Sequence, residues 1–186
     1  MPHPAASQFS EEEFFHFVQS RDERWELIKG EAIVMAVTTQ RHRDIAANVL
    51  TSLHTQLRDK RCRPTVANTA ISISPGTVRY PDSVVDCGGR VDQCMSAAEP
   101  TVVIDVLSPF TCDFDSHRKV LEYRSKVEIA SILLIDATNA CVLLHYRAAQ
   151  GWSEGIYGNL DDVISLPEIG ARLALSDIYS GLEFAP

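Results

Sequence analysis

The stretch PTVVIDVLSP, residues 100–109, is a nearly continuous run of apolar and β-branched side chains. Such a run is typical of a strand that is buried on both faces of a sheet. ASILLIDA at 130–137 has the same character, and the segment 114–127 between them carries an apolar stripe at helical spacing. The stripe consists of Val120, Tyr123 and Val127. Strand, helix and strand in succession predict an α/β or α+β organisation around one mixed sheet.

The segments on either side extend this pattern. FSEEEFFHFVQ at 9–19 begins with Ser10 and Glu13, the spacing of a helix capping box. The remaining predictions are two strands around a Lys29-Gly30 turn in 24–37, a helix at 39–60, strands at 64–74 and 79–87, a hairpin after residue 141, and an irregular C-terminal segment with strand character.

Length and cysteine content limit the class of protein. A chain of 186 residues predicts one domain over 1–186, with residues 1–8 flexible. No apolar run approaches the ~20 residues of a membrane span, and no basic segment precedes an apolar one at the N-terminus. Five cysteines without a C-x-x-C pair favour reduced thiols and a cytoplasmic location over a zinc site. They are Cys62, Cys87, Cys94, Cys112 and Cys141.

The charge balance argues against a generally DNA-binding surface. Lys and Arg total 17, Asp and Glu total 25, and the net charge is −8. Proteins that neutralise phosphates usually carry a basic face. Affinity for nucleic acid would therefore need a local patch, for which six basic residues are available. They are Arg41, Arg43, Arg58, Lys60, Arg61 and Arg63.

Two carboxylates occupy unusual positions in strands. Asp105 interrupts the buried run at 100–109, and Asp82 follows Pro81 at the edge of a β-branched strand. A buried carboxylate must be paired, protonated or metal-bound. A salt bridge from Asp105 to Arg118 or Lys119 is the plainer interpretation.

The order of these groups supports a second interpretation. Two acids followed by Lys119 occur in this order in metal-dependent phosphodiester hydrolysis. Carboxylates supply the hard oxygen ligands that Mg²⁺ or Mn²⁺ prefers, and a lysine can offset charge on the phosphate.

At this point the sequence resembles the Uma-type restriction endonuclease family of the PD-(D/E)XK nuclease superfamily. The matching segments, in the family's order, are RWELIKGEAIVM, QRHRDIAANVLTSL, RYPDSVVDCGG, VVIDVLSPFTCDFDSHRKVLEYRS and ILLIDATNACVLLHYR. The resemblance covers most of the chain. It implies an α/β restriction-endonuclease-like fold, with a mixed central sheet flanked by helices and the two acids and a lysine converging at one end.

The resemblance also implies site residues. Asp82, Asp105 and the backbone carbonyl of Val106 would bind one Mg²⁺ or Mn²⁺, and Lys119 would be the lysine of the site. Leu107 stands where the superfamily has its lysine, so Lys119 on the next helix is the matching position, although a solvated helix lysine is an alternative. The second acid is Asp105 where the family usually has Glu, which shortens its reach by one methylene.

Two further positions match the family. Glu26 corresponds to its N-terminal acid, with a surface residue paired to Arg24 as the alternative. His42 corresponds to a histidine at a helix start, which could contact phosphate or water or be structural.

The resemblance implies a function and a partner. The expected activity is that of a metal-dependent endodeoxyribonuclease, with DNA as substrate and a homodimer as assembly. The hairpin at 152–157 or the C-terminal segment LALSDIYSGLEF would supply the apolar contact area of the dimer. Two alternatives remain: a catalytically inactive or repurposed binding module on the same fold, and a hydrolase of a small phosphoester.

Overall fold

The computed structural model describes residues 8–66, 68–107 and 113–184, and within 113–115 the backbone only. The elements in chain order are α1 (Glu11–Gln19), β1 (Trp25–Ile28), β2 (Glu31–Val34), α2 (Gln40–Leu57), β3 (Arg63–Val66), β4 (Ile71–Ser74), β5 (Thr77–Arg79), β6 (Ser83–Asp86), β7 (Pro100–Leu107), α3 (Asp113–Arg124), β8 (Ser131–Asp136), β9 (Val142–Ala148), β10 (Gly151–Tyr157), β11 (Val163–Leu166), β12 (Ala171–Ala174) and α4 (Leu175–Ile178).

A six-stranded mixed sheet forms the centre of the molecule. Its strand order is β10-β9-β8-β7-β6-β3, and β7 pairs with β8 in parallel while the other pairs are antiparallel. The parallel pair needs a crossover connection, and α3 lies between its strands in the chain. The predicted α/β fold with a mixed central sheet and flanking helices is confirmed.

Helices cover both faces of this sheet because successive strand residues point to opposite sides. Val85 and Val102 pack in the cluster that contains α2 and α4. Val84 and Val103, their chain neighbours, pack in a second cluster with the apolar face of α3. The predicted stripe on α3 is confirmed at two positions, Val120 and Tyr123. It is wrong at Val127, which follows the helix and is 78% exposed.

A smaller antiparallel sheet with the order β2-β1-β5-β4 lies beside the first. Its β1–β2 hairpin turns at Lys29 and Gly30, whose φ angles of 52° and 85° are the pair that a tight two-residue turn requires. The predicted capping box is present at the start of α1, which buries Phe14 against this sheet.

Pro81 and Asp82 are the link between the two sheets. The chain leaves the small sheet at Arg79 and enters the large sheet at Ser83. A proline is tolerated there because neither ladder needs its missing N–H group. The position of Asp82 at the start of β6 follows from this crossing.

The cysteines differ from the sequence-based expectation. Cys62 and Cys87 form a disulfide, so the prediction of reduced thiols is wrong for these two residues. The physical reason is the register: Arg63 pairs with Asp86 across β3 and β6, which brings the cysteines beside them opposite each other. Cys94 and Cys141 are free thiols, and Cys112 lies outside the described residues.

The described helices include none that is both long and apolar enough to cross a membrane. The single domain over 1–186 stays a prediction. Residues 1–8 were predicted to be flexible, and residues 1–7 lie outside the described residues.

Candidate active site

The six residues predicted for the site line one cavity of about 300 Å³. They are Glu26, His42, Asp82, Asp105, Val106 and Lys119. They come from five elements or links: β1, the first turn of α2, the link between the two sheets, β7 and α3. Their convergence is observed, whereas their chemical roles stay predictions.

Asp82 takes the place of a strand partner at the edge of β7. β6 begins at Ser83, which pairs with Ile104, so β7 extends beyond it. The Val106 amide therefore donates to Asp82 Oδ2, at 2.9 Å. In a strand the N–H and C=O of one residue point to the same side, so the Val106 carbonyl also points toward this edge.

His42 and Arg24 approach the other oxygen of Asp82. His42 Nε2 lies 3.0 Å and Arg24 Nη1 3.7 Å from Oδ1. The Thr39 hydroxyl accepts from the His42 amide and so caps the helix, which turns the His42 side chain into the interior. Burial by itself would raise the pKa of Asp82, but His42, the Val106 amide and Arg24 together lower it.

The pKa of Asp105 is shifted in the opposite direction from that of Asp82. It is buried, and its Oδ2 has no hydrogen-bond partner in the part of the chain that the structure describes. Burial raises the pKa of Asp105 to about 6; Lys119 opposes the shift, and the negative charges of Asp82 and Glu26 add to it. The positive charge of Lys119 therefore does not offset the cost of burying the Asp105 carboxylate. Arg118, one suggested partner, pairs with Glu122 instead.

Glu26 and Lys119 form a close ion pair inside the cavity. Lys119 Nζ lies 3.0 Å from Glu26 Oε1, and the side chains are 12% and 6% exposed. The alternative of a solvated lysine is therefore wrong. The alternative of a surface Glu26 paired with Arg24 is also wrong, since Arg24 contacts Asp82 instead. Burial would raise the pKa of Glu26, but Lys119 and Arg79 together lower it.

Sequence reasoning missed two charged residues behind this pair. Arg79 on β5 binds Glu26 Oε2 at 2.7 Å and Glu122 on α3 at 2.6 Å. Its side chain is 0% exposed. A charged residue in a strand directly before the Pro81-Asp82 link was the available signal, because a strand position that is buried on both faces tolerates arginine only when it is paired.

The donor set suits a hard divalent cation with few protein ligands. Within the described ranges no group of three or more His, Cys, Asp or Glu side chains is arranged to hold a metal ion. The predicted ligands Asp82, Asp105 and Val106 share this cavity, whereas the carboxylate of Glu26 pairs with Arg79 and Lys119. The unsatisfied oxygen of Asp105 is the observation that fits a bound cation.

The chain is similar to known proteins over most of its length. Residues 11–176 match the family model Uma2, described as "Putative restriction endonuclease". The chain belongs to the Uma2 family. It is 25% identical over 181 residues to the uncharacterised protein slr1290 of Synechocystis sp. (strain ATCC 27184 / PCC 6803 / Kazusa), covering 95% of this chain and 94% of that protein.

A solved structure shows the same fold. The crystal structure described as a "putative nuclease belonging to DUF820" from Anabaena variabilis ATCC 29413 superposes with a TM-score of 0.76. The match covers 92% of this chain and 98% of that one at 16% identity. The predicted Uma2 membership and restriction-endonuclease-like fold are therefore confirmed.

Proposed function

We propose that this Uma2 protein is an endonuclease that hydrolyses DNA phosphodiester bonds with Mg²⁺ or Mn²⁺ as cofactor. The observation that carries the proposal is the buried Asp105, whose unsatisfied oxygen shares one cavity with Asp82 and Lys119. The cavity thus holds two carboxylates in different environments and the positively charged Lys119. These are groups that metal-dependent phosphodiester hydrolysis needs. Membership of a family described as restriction endonucleases supports the same reaction.

Each residue has a task in this proposal. Asp82, Asp105 and the Val106 carbonyl would hold the cation, which when bound polarises the phosphate and acidifies water. Lys119 offsets the charge that grows on the non-bridging phosphate oxygens. Glu26 holds the Lys119 ammonium in the cavity, and His42 holds the Asp82 carboxylate.

The test is cleavage of supercoiled, duplex and single-stranded DNA at low salt with Mg²⁺ or Mn²⁺. Asp82→Ala should abolish both cleavage and calorimetric Mn²⁺ binding. Lys119→Ala should bind Mn²⁺ nearly as well as wild type and cut about 10²-fold more slowly, the scale for losing one electrostatic stabiliser. Lys126→Ala is the matched control, since that lysine follows the same helix and does not line the cavity. Equal Mn²⁺ binding by wild type and Asp82→Ala would contradict the site.

The second candidate is a non-catalytic binding or interaction module on this fold. Asp105 in place of the family's Glu and the net charge of −8 favour it. Asp105→Glu separates the two, because the longer side chain recovers the reach to a cation and should retain or raise cleavage. If neither wild type nor Asp105→Glu cuts any of the three substrates, the module is the better description.

We also propose that the protein is a homodimer through the open edge of the large sheet. β10 is an edge strand, and Ile156 on it is 78% exposed. The C-terminal segment is a poor alternative, because Leu175, Ile178 and Tyr179 are buried in the core. Light scattering at micromolar concentration should report about twice the chain mass of 20.6 kDa, and Ile156→Lys should restore the monomer. A wild-type monomer would contradict this interface.

The cytoplasmic location stays a prediction. The Cys62–Cys87 disulfide is unusual for that compartment.

A further inference from the structure

Arg79 is the largest fully buried side chain among the described residues. A buried guanidinium is costly unless charged groups compensate it. Arg79 meets this requirement with two glutamates: Nη1 lies 2.7 Å from Glu26 Oε2, and Nε lies 2.6 Å from Glu122 Oε2. Burial by itself would lower the pKa of Arg79, but the two glutamates more than offset this and raise it.

These contacts connect three elements behind the cavity. Glu26 is on β1, Arg79 on β5, and Glu122 on α3, where it lies three residues after Lys119 and so on the same side of the helix. The planar fork of an arginine fixes the directions of both carboxylates, which a lysine at the same place would not do. Arg79 thus fixes both the acid that binds Lys119 and the helical turn that carries it.

The two oxygens of Glu26 contact different positively charged side chains, and this affects how strongly Glu26 attracts Lys119. Arg79 binds Oε2, and Oε1 is left for Lys119 at 3.0 Å and for the Tyr80 amide at 3.2 Å. With Arg79 sharing the negative charge, Glu26 attracts Lys119 less strongly than an unshared carboxylate would. A weaker attraction to Glu26 would make it easier for the Lys119 ammonium to turn toward a phosphate oxygen.

We infer that Arg79 is a positioning residue of this site, which orients Glu26 and the Lys119-bearing turn of α3 without touching substrate. The inference rests on the proposed function for its effect on cleavage, but its geometric part concerns Glu26 and can be measured without activity. The absence of exposed surface on Arg79 excludes direct contact with DNA.

The test uses a charge-balanced variant. Arg79→Met alone would leave the buried Glu26 and the partly buried Glu122 short of positive charge and could unfold the chain. Arg79→Met/Glu122→Gln removes one charge of each sign and keeps the Glu26–Lys119 pair. Arg79→Lys keeps the positive charge but lacks the planar guanidinium group. This variant replaces the double variant if the double variant does not fold. Arg118→Met is the matched control, because Arg118 binds the same Glu122 from a position that is one-third exposed.

Two measurements decide the inference. The kcat of the double variant and of Arg79→Lys should fall about 10- to 100-fold with KM within about threefold, the scale of a small misplacement, and Arg118→Met should stay within about twofold. In ¹³C-glutamate NMR, with Glu26 assigned through Glu26→Gln, the pKa of Glu26 should be higher in the double variant because a neighbouring positive charge is gone. In Arg79→Lys its carboxyl resonance should shift.

The outcomes separate the two hypotheses. Unchanged kcat together with an unchanged Glu26 titration and resonance would overturn the role of Arg79 and leave the nuclease proposal intact. If the wild type cuts no substrate, the nuclease proposal fails and the NMR measurements alone decide: a moved Glu26 titration or resonance supports the positioning role, and an unmoved one overturns it.

Discussion

The Asp105 carboxyl group carries a stability cost that its neighbours only partly offset. Burial raises its pKa in the folded protein to about 6, from the ordinary aspartate value of 3.8. Between these two pH values the folded state binds a proton that the unfolded state has released, so stability falls as pH rises through this window. Above pH 6 the full cost is present. At ~1.4 kcal/mol per pH unit it amounts to about 3 kcal/mol.

Asp105→Asn should therefore stabilise the metal-free protein. The neutral amide does not carry this cost, so urea unfolding in chelator should give a higher free energy of unfolding than wild type at pH 7.5, by about 3 kcal/mol, with the gain vanishing toward pH 4. Mn²⁺ should then stabilise the wild type and not the variant. A variant that is less stable than wild type at pH 7.5 would contradict the assignment.

Asp86 provides the contrasting control. Its carboxylate accepts hydrogen bonds from the amides of Gly88, Ala98 and Glu99 and pairs with Arg63. Asp86→Asn should lower stability at pH 7.5, because these donors lose a charged acceptor. The two substitutions thus distinguish Asp86, whose charge stabilises the metal-free protein, from Asp105, whose charge destabilises it.

At the scale of elements, the sequence predicted what local periodicity encodes. The apolar run of β7, the helix predicted at 39–60 and the capping box of α1 each reflect contacts within a few residues, and each is present. Sheet membership is not local. The segment 64–74 contributes β3 to the large sheet and β4 to the small sheet, and the segment 79–87 begins with the last residue of β5 and continues into β6 of the large sheet.

The same distinction holds for the site. Pro81-Asp82, Asp105 and Lys119 were predicted because the family pattern fixes their order along the chain. Arg79 was not predicted, because its role depends on ion pairs with Glu26 and Glu122, which lie 53 and 43 residues away in sequence. The sequence shows a charged residue in a strand at position 79, but the acids that pair with it are identified only once the fold is known.

The disulfide between Cys62 and Cys87 should stabilise the folded protein. It joins the start of β3 to the end of β6 and closes a loop of 25 residues. In the chain-entropy view its reduction should cost about 3 kcal/mol, so thermal unfolding with dithiothreitol should occur at a lower temperature than without. Cys62→Ser should remove the difference, and Cys94→Ser should leave it unchanged. Identical unfolding curves for oxidised and reduced wild type would contradict the bridge.

At the scale of the whole molecule, the six basic residues expected to form one patch are divided. Arg41 and Arg43 lie in the first turn of α2, and Arg58, Lys60, Arg61 and Arg63 follow its other end. Fourteen residues of helix, 44–57, separate the groups, a length of about 21 Å. Arg61 and Arg63 are also paired with Glu99 and Asp86. The expectation of one patch is therefore wrong, because an α-helix is rigid along its length.

This division predicts weak and local binding of DNA. Arg43 is exposed and adjacent to His42 in the cavity wall, whereas Arg58 is exposed at the far end of α2. Arg43→Ala should weaken binding and reduce the slope of log K against log salt by about 1, the signature of one lost phosphate contact. Arg58→Ala, from the same helix, should leave both unchanged. Fluorescence anisotropy with a labelled duplex from low to moderate salt, in the Lys119→Ala background that slows cleavage, measures both quantities. Equal losses at the two ends would mean that DNA lies along the whole helix, away from the site proposed to cut it.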